Sequence, residues 1–213
     1  MNHHRRILSF ATAAVFAVGA VGLAACGADS SGLGSGPAPL TGYELDPPPA
    51  VGDLSLPDAS AGGSEFAFRA EPGHLLLTYF GYTMCPDVCP TTLSEVRTAL
   101  KKLGERADTI DLAMTTIDPA RDLGEMLTKY VQSFVPRAHA LRTDDDALLR
   151  SVADTFGAGY SVTTDADGNV EVSHSGNVFV VDATGAVVLV WPFGINGTSM
   201  ASDLATLLDR GVA

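Results

Sequence analysis

The spacing of apolar residues predicts alternating strands and helices from residue 65 onwards. Runs of apolar and β-branched residues predict strands over 65–69, 74–80, 109–117, 170–173, 177–182 and 186–191. Apolar residues three and four positions apart predict helices over 90–103, 122–134, 144–157 and 199–209. The order of these segments predicts an α/β fold in which helices flank a central mixed sheet, with parallel crossovers early in the chain and a hairpin late.

The start of the chain carries a different pattern, because a basic segment is followed by one long apolar run. Residues 7–23 contain no charge, and the run ends in Leu-Ala-Ala-Cys at Cys26. This pattern is typical of a bacterial export signal that ends at a lipid-attachment cysteine. We therefore predict a lipoprotein signal peptide over residues 1–25 and lipidation of Cys26. An uncleaved membrane-spanning anchor is the alternative.

The next stretch, residues 26–50, is rich in Gly, Ser and Pro and shows no apolar period. Such a composition predicts a flexible tether. The remaining residues, 51–213, are enough for one domain with an ordinary core. Either interpretation of the leader places this domain outside the cytoplasm, on the outer face of a bacterial cytoplasmic membrane.

Charge and cysteine content narrow the classes of partner. The chain has 25 acidic and 13 basic residues and a formal net charge of −12. This balance argues against a nucleic-acid partner, because binding a phosphate backbone needs clustered Lys and Arg.

An odd number of cysteines, three, in an exported protein leaves one unpaired. Lipidation of Cys26 accounts for it.

Two cysteines stand four residues apart in Cys85-Pro86-Asp87-Val88-Cys89, between a predicted apolar strand and a predicted helix. If the helix begins directly after Cys85, both sulfurs lie on one helix face, and the helix N-terminus stabilises their thiolate forms. Such a pair can bind a soft metal ion or form a reversible disulfide. A purely structural disulfide is the third alternative, although so small a loop contributes little stability. A thiol motif at this position is typical of thioredoxin-like folds.

Three histidines follow the leader. We expect His74 and His139 to be structural, because each stands at the start of a strand after a proline-containing turn. For His174 the residues alone leave open whether it is a surface side chain or a metal ligand. Residues 161–171 predict a mobile hairpin that leads to His174.

Several other residues near these motifs have packing roles as their simplest interpretation. Residues 118–122, Asp-Pro-Ala-Arg-Asp, predict a turn followed by a helix cap. Met84 adjoins Cys85, and we expect it to pack at the rim or in the core. Trp191 and Phe193 are both candidates for a docking surface, although burial in the core is the default expectation for each.

Three stretches resemble the signature segments of the Sco/SenC family. They are YFGYTMCPDVCPTTL at 79–93, TTIDPARDLGEMLTKYVQSF at 115–134, and VSHSGNVFVVDATG at 172–185. The resemblance extends over roughly residues 50–210, although residues 53–73 match loosely. It implies a thioredoxin-like fold for the domain.

The resemblance also implies a copper site, for Cu(I) or Cu(II), made of Cys85, Cys89 and His174. Asp87 is a further candidate for copper binding or partner contact. Members of the family help to assemble the dinuclear copper centre of cytochrome c oxidase. We therefore expect a monomeric, lipid-anchored metallochaperone rather than an enzyme, whose partner is the copper-bearing oxidase subunit or another copper protein. The alternative is a thiol–disulfide oxidoreductase that uses Cys85 and Cys89 as a redox-active pair to keep partner cysteines reduced.

Overall fold

Nine strands and four α-helices make up the described part of the chain, residues 39–212 of a computed structural model. The strands are β1 Ser55–Asp58, β2 Ser64–Ala67, β3 Leu75–Gly81, β4 Ile110–Thr116, β5 His139–Leu141, β6 Tyr160–Thr164, β7 Val170–His174, β8 Val178–Val181 and β9 Val187–Trp191. The helices are α1 Val88–Leu103, α2 Gly124–Phe134, α3 Asp146–Phe156 and α4 Gly197–Asp209. Seven strands form one sheet in the order β2-β1-β5-β4-β3-β8-β9, and β6 pairs with β7 in a separate hairpin.

The sheet is mixed, as the sequence predicts. β3 runs parallel to β4, and β4 runs parallel to β5. β8 is antiparallel to both β3 and β9. All seven residues of β3 are buried, because this strand has a neighbour on each side and helices on both faces. The order of parallel crossovers followed by a hairpin is confirmed, and so is the thioredoxin-like arrangement of a mixed sheet flanked by helices.

The two faces of β3 have different partners, because successive side chains of a strand point to opposite sides. Phe80 packs against Phe156 of α3 and Phe179 of β8, with ring centroids 5.3 and 6.1 Å apart. The other face carries Tyr79 and Gly81 and borders Cys89 of α1. Helix α1 packs in turn on α4. An added Cβ at Gly197 of α4 would lie 2.4 Å from the backbone oxygen of Glu95 in α1, so only glycine allows this approach.

Every helix and strand predicted from the sequence is present, with ends shifted by a few residues. Three of the nine strands have no predicted range: β5 was expected only as a strand start at His139, β6 only as part of the hairpin over 161–171, and β1 not at all. The four residues of β1 include Pro57. Proline is depleted in strands, so local preference argues against this one. Pairing with β2 along its whole length supplies the stabilisation instead.

The segment before β1 packs on the domain. Tyr43 and Val190 of β9 exchange backbone hydrogen bonds of 3.0 and 2.9 Å, and Ala50 bridges to Ala186. These residues belong to the stretch assigned to the tether over 26–50, so the last part of that stretch is part of the fold. The predicted signal peptide and Cys26 lie outside the described residues. Within residues 39–212, none of the helices has both the length and the apolar composition required to cross a membrane.

Candidate metal centre

The loop between β3 and α1 carries both cysteines. The helix predicted over 90–103 begins at Val88 and not directly after Cys85, so Cys85 lies in the loop and Cys89 in the first helical turn. The backbone N–H of Cys89 nevertheless donates to the sulfur of Cys85 at 3.2 Å. A free amide at a helix N-terminus stabilises negative charge, so the sulfur of Cys85 does receive the support expected from the motif.

A buried carboxylate holds this loop in place. Asp122 accepts hydrogen bonds from the backbone N–H and the hydroxyl of Thr83, at 3.0 and 2.5 Å, and from the hydroxyl of Thr116 at 2.7 Å. The sequence predicted a helix cap here, but α2 begins at Gly124 and Asp122 does not cap it. Asp122 therefore fixes the backbone two residues before Cys85, a role that only the folded chain reveals.

His174 reaches the cysteines from the end of β7. Its Nε2 atom lies 3.4 Å from the sulfur of Cys89 and 3.9 Å from the sulfur of Cys85. The Nδ1 atom lies 2.9 Å from the backbone oxygen of Ser175 and donates to it, which leaves the Nε2 lone pair directed at the two sulfurs. Burial lowers the pKa of His174, although the Ser175 carbonyl acts in the opposite direction, so the ring is neutral near pH 7.

The three donor atoms form a group that could hold one metal ion, since all of them lie within 4.8 Å of one another. Both thiols are free. Burial, and after it the neighbouring Cys85, raises the pKa of the Cys89 thiol to about 12. This outcome differs from the thiolate expected at a helix start, because desolvation outweighs the helix amides at this sulfur. A metal ion must therefore displace a proton from Cys89.

Aromatic rings surround the imidazole. Tyr79 and Tyr82 pack edge-on against His174, with ring centroids 6.1 and 5.8 Å away. The guanidinium of Arg121 lies 6.0 Å from the ring centre of Tyr82. Neither tyrosine was predicted from the sequence to lie at the site. The alternation of side chains along a strand could have indicated Tyr79, because it places this residue on the same face of β3 as Gly81, next to the cysteine loop.

The other candidate residues lie apart from the metal group. Asp87 is exposed, and its carboxylate accepts a hydrogen bond of 3.2 Å from the hydroxyl of Thr91. His74 lies 3.5 Å from Asp111, and His139 lies 2.7 Å from Asp58, so both histidines have the structural surroundings expected of them.

Three further residues differ in how far their side chains are exposed to solvent. Met84 is 60% exposed and lies at the rim of the site, not in the core. Trp191 is buried, as expected, and donates to Asp203. Phe193 is half exposed.

Sequence comparisons agree with the signature segments. The sequence model of the SCO1/SenC family matches residues 59–209. SCO2-like protein RP587 of Rickettsia prowazekii is 36% identical over 115 residues, which are 53% of this chain and 56% of that protein. The chain thus spans little more than half the length of the curated relatives that it matches first.

Solved structures share the fold, and two of them show the extent of the match. The structure of Bradyrhizobium japonicum ScoI with copper bound is 29% identical, with a TM-score of 0.62, and the match covers 73% of this chain and 98% of that one. The solution structure of apo Sco1 from Thermus thermophilus is 30% identical, also with a TM-score of 0.62, over 82% of this chain and 94% of that one.

Proposed function

The chain belongs to the SCO1/SenC family, and from this premise we propose that it is a copper metallochaperone that supplies copper to, or helps to mature, the dinuclear copper centre of cytochrome c oxidase. The observation that carries the proposal is the convergence of Cys85, Cys89 and His174 within 4.8 Å. The copper bound to the related ScoI of Bradyrhizobium japonicum supports the choice of metal.

The donor set fits copper on chemical grounds. Two thiolates favour Cu(I), and an added imidazole makes a mixed site that tolerates Cu(II) as well. The group supplies three donor atoms, and a structural zinc site usually has four. Three donors leave a coordination position of the ion open for a ligand from a partner protein. This arrangement suits a protein that transfers copper, because the ion can then pass between proteins by ligand exchange.

The protein's own groups favour reversible binding. The raised pKa of Cys89 means that a proton competes with copper for this sulfur, so binding releases a proton and release of copper takes one up. His174 is carried by the β6–β7 hairpin, whose residues are mostly exposed. An element with few buried contacts opens at low free-energy cost, which would let the imidazole leave the ion during transfer.

We also propose that the protein acts outside the cytoplasm, anchored to the membrane by a lipid on Cys26. The pattern of the first 26 residues supports this location. Replacement of Cys26 by Ser should move the protein from the membrane fraction to the soluble fraction, while Cys85→Ser should stay with the membrane. Membrane retention of the Cys26→Ser variant would favour an uncleaved anchor.

Oxidase maturation in the cell tests the function. Deletion of the gene should lower cytochrome c oxidase activity, and expression of the intact chain should restore it. His174→Ala should fail to restore activity, because it removes one of the three donors. His74→Ala is the matched control and should restore it, since this histidine is remote from the metal group. Full restoration by His174→Ala would contradict the copper role.

A thiol–disulfide reductase is the second candidate function. Two free thiols within 4.8 Å support it, because a short movement would allow an S–S bond to form. In that reaction Cys85 and Cys89 are oxidised to a disulfide while a partner disulfide is reduced to two thiols. Reductase activity that needs both cysteines but is unchanged in His174→Ala would favour this function over copper delivery.

A further inference from the structure

The hydroxyl group of Tyr79 is buried in the core and makes no hydrogen bond of good geometry among the described residues, although Cys89 and Thr92 lie near it. A buried hydroxyl without a partner costs free energy, so its presence asks for an acceptor that becomes available in another state of the protein. Phenylalanine would fill the same space without this cost. The position of the ring indicates which acceptor that is.

Tyr79 lies against two members of the metal group. Its ring packs edge-on against His174, with an angle of 77° between the rings. A Cβ added at Gly81 would lie 2.6 Å from Cε1 of Tyr79 and 3.0 Å from the sulfur of Cys89. The ring edge and the sulfur thus border the same small space, which exists because residue 81 is a glycine.

The chemistry of the two groups suits a donor and an acceptor, because a phenol O–H donates a hydrogen bond and a thiolate sulfur accepts one. A sulfur becomes a much better acceptor when it loses its proton, and binding of a metal ion removes that proton.

We propose that Tyr79 is a positioning residue of the copper site, whose hydroxyl donates a hydrogen bond to the sulfur of Cys89 when that sulfur binds copper as a thiolate. The inference rests on the proposed copper function and deepens it. A hydrogen bond to a ligating sulfur stabilises its negative charge, fixes its orientation and tunes the metal. The donor is already in place before copper arrives, so no side chain has to be ordered upon binding.

The variant Tyr79→Phe tests the proposal, since it removes only the hydroxyl. Thr115→Val is the matched control, because Thr115 also has a buried hydroxyl without a partner. Thr115 pairs with Phe80, so its side chain lies on the opposite face of the sheet from Tyr79. Each purified protein is titrated with Cu(I) in competition with a chromogenic chelator, and its sulfur-to-Cu(II) absorption band is recorded. Tyr79→Phe should bind Cu(I) about tenfold more weakly and move the band to longer wavelength. Thr115→Val should match the wild type in both.

Urea unfolding without copper gives an independent measurement. Tyr79→Phe should unfold at the same or a higher urea concentration than the wild type, because it loses an unpaired polar group. A lower midpoint with an unshifted band would assign the hydroxyl to Thr92, whose own buried hydroxyl also has no partner, and would overturn the proposal. Equal affinity and equal band position in Tyr79→Phe and wild type would overturn it too. A wild type that binds no copper would instead contradict the proposed function.

Discussion

Buried aspartates organise the molecule at the scale of single residues. Asp58, Asp122 and Asp203 are each almost fully buried, and each accepts hydrogen bonds from several donors. Burial of a carboxylate is tolerable only when such bonds replace its water shell. These residues therefore fix loops that local sequence preference leaves undetermined, including the loop that carries Cys85.

Asp58 gives a prediction about pH. Burial acts to raise its pKa, but hydrogen bonds from Ser60, His139 and the backbone of Ala140 outweigh burial and hold the pKa below its ordinary value of 3.8. A lowered pKa stabilises the folded state fully above pH 3.8, and the stabilisation is lost as the pH falls through the lowered value. Asp58→Asn should therefore reduce the free energy of unfolding by about 1–3 kcal/mol at pH 7 and by less near pH 3.

Urea unfolding of wild type and Asp58→Asn between pH 7 and pH 3 measures this difference. The control is Asp108→Asn, whose carboxylate is exposed and pairs with Arg137 on the surface. That variant should differ little from wild type at any pH. A constant gap between wild type and Asp58→Asn over the whole range would show that the charge of Asp58 does not stabilise the fold.

The sequence identifies functional residues only where the signal is local. Cys85 and Cys89 stand out because only three residues separate them, directly before a predicted helix. His174 does not, because its distance from the sulfurs is set by the β6–β7 hairpin, and only the resemblance to a family singles it out. Asp122 was misassigned as a helix cap for the same reason: its partners, Thr83 and Thr116, come together only in the folded chain.

At the scale of elements, the end of β3 brings the site together. Gly81 is the last residue of the strand, and the space above it is shared by Tyr79, Cys89 and Met114. The strand prediction from apolar pattern was confirmed here, because β3 is central and apolar on both faces. The same reasoning could not find β1, whose stabilisation comes from pairing with β2 and not from its own residues.

Gly81→Ala tests this close packing. The new methyl group would lie 2.6 Å from the Tyr79 ring and 3.0 Å from the Cys89 sulfur, so the sulfur or the ring must move. We expect the free energy of unfolding to fall by about 1–3 kcal/mol and copper affinity to fall with it. Thermal unfolding and Cu(I) competition measure the two effects.

Gly159→Ala is the control for the glycine substitution, because a Cβ there meets nothing within 4 Å. It should leave copper affinity unchanged. If Gly81→Ala bound copper as tightly as this control, the sulfur of Cys89 would not be held by the packing at the end of β3.

At the scale of the whole molecule, one carboxylate adds to the backbone hydrogen bonds that hold the segment before β1 on the sheet. Asp203 of α4 accepts from the backbone N–H groups of Thr41 and Gly42 at 2.9 to 3.0 Å and from the indole of Trp191 at 2.8 Å. Trp191 is the last residue of β9 and pairs with Val178. Val178 in turn pairs with Tyr79 of β3. The segment held by Asp203 therefore contacts the sheet at the same end of these strands as the metal group.

Asp203→Ala should release this segment. Three donors lose their acceptor, so we expect the free energy of unfolding to fall by about 2–3 kcal/mol. Trp191 is the only tryptophan of the chain, so its fluorescence should shift to longer wavelength as the indole meets water. Amide exchange at Tyr43 should quicken. An unchanged emission maximum together with unchanged exchange would contradict the fastening role of Asp203.

The central claim is that two sulfurs and one imidazole bind a single copper ion. The most direct test is an anaerobic titration of the purified protein with Cu(I), with Cu(II) added to a second sample. The variants His174→Ala and Cys85→Ser are measured alongside. The account predicts one tightly bound copper per wild-type chain, a sulfur-to-Cu(II) absorption band, and much weaker binding with loss of that band in both variants. Equally tight binding and an unchanged band in His174→Ala would contradict it.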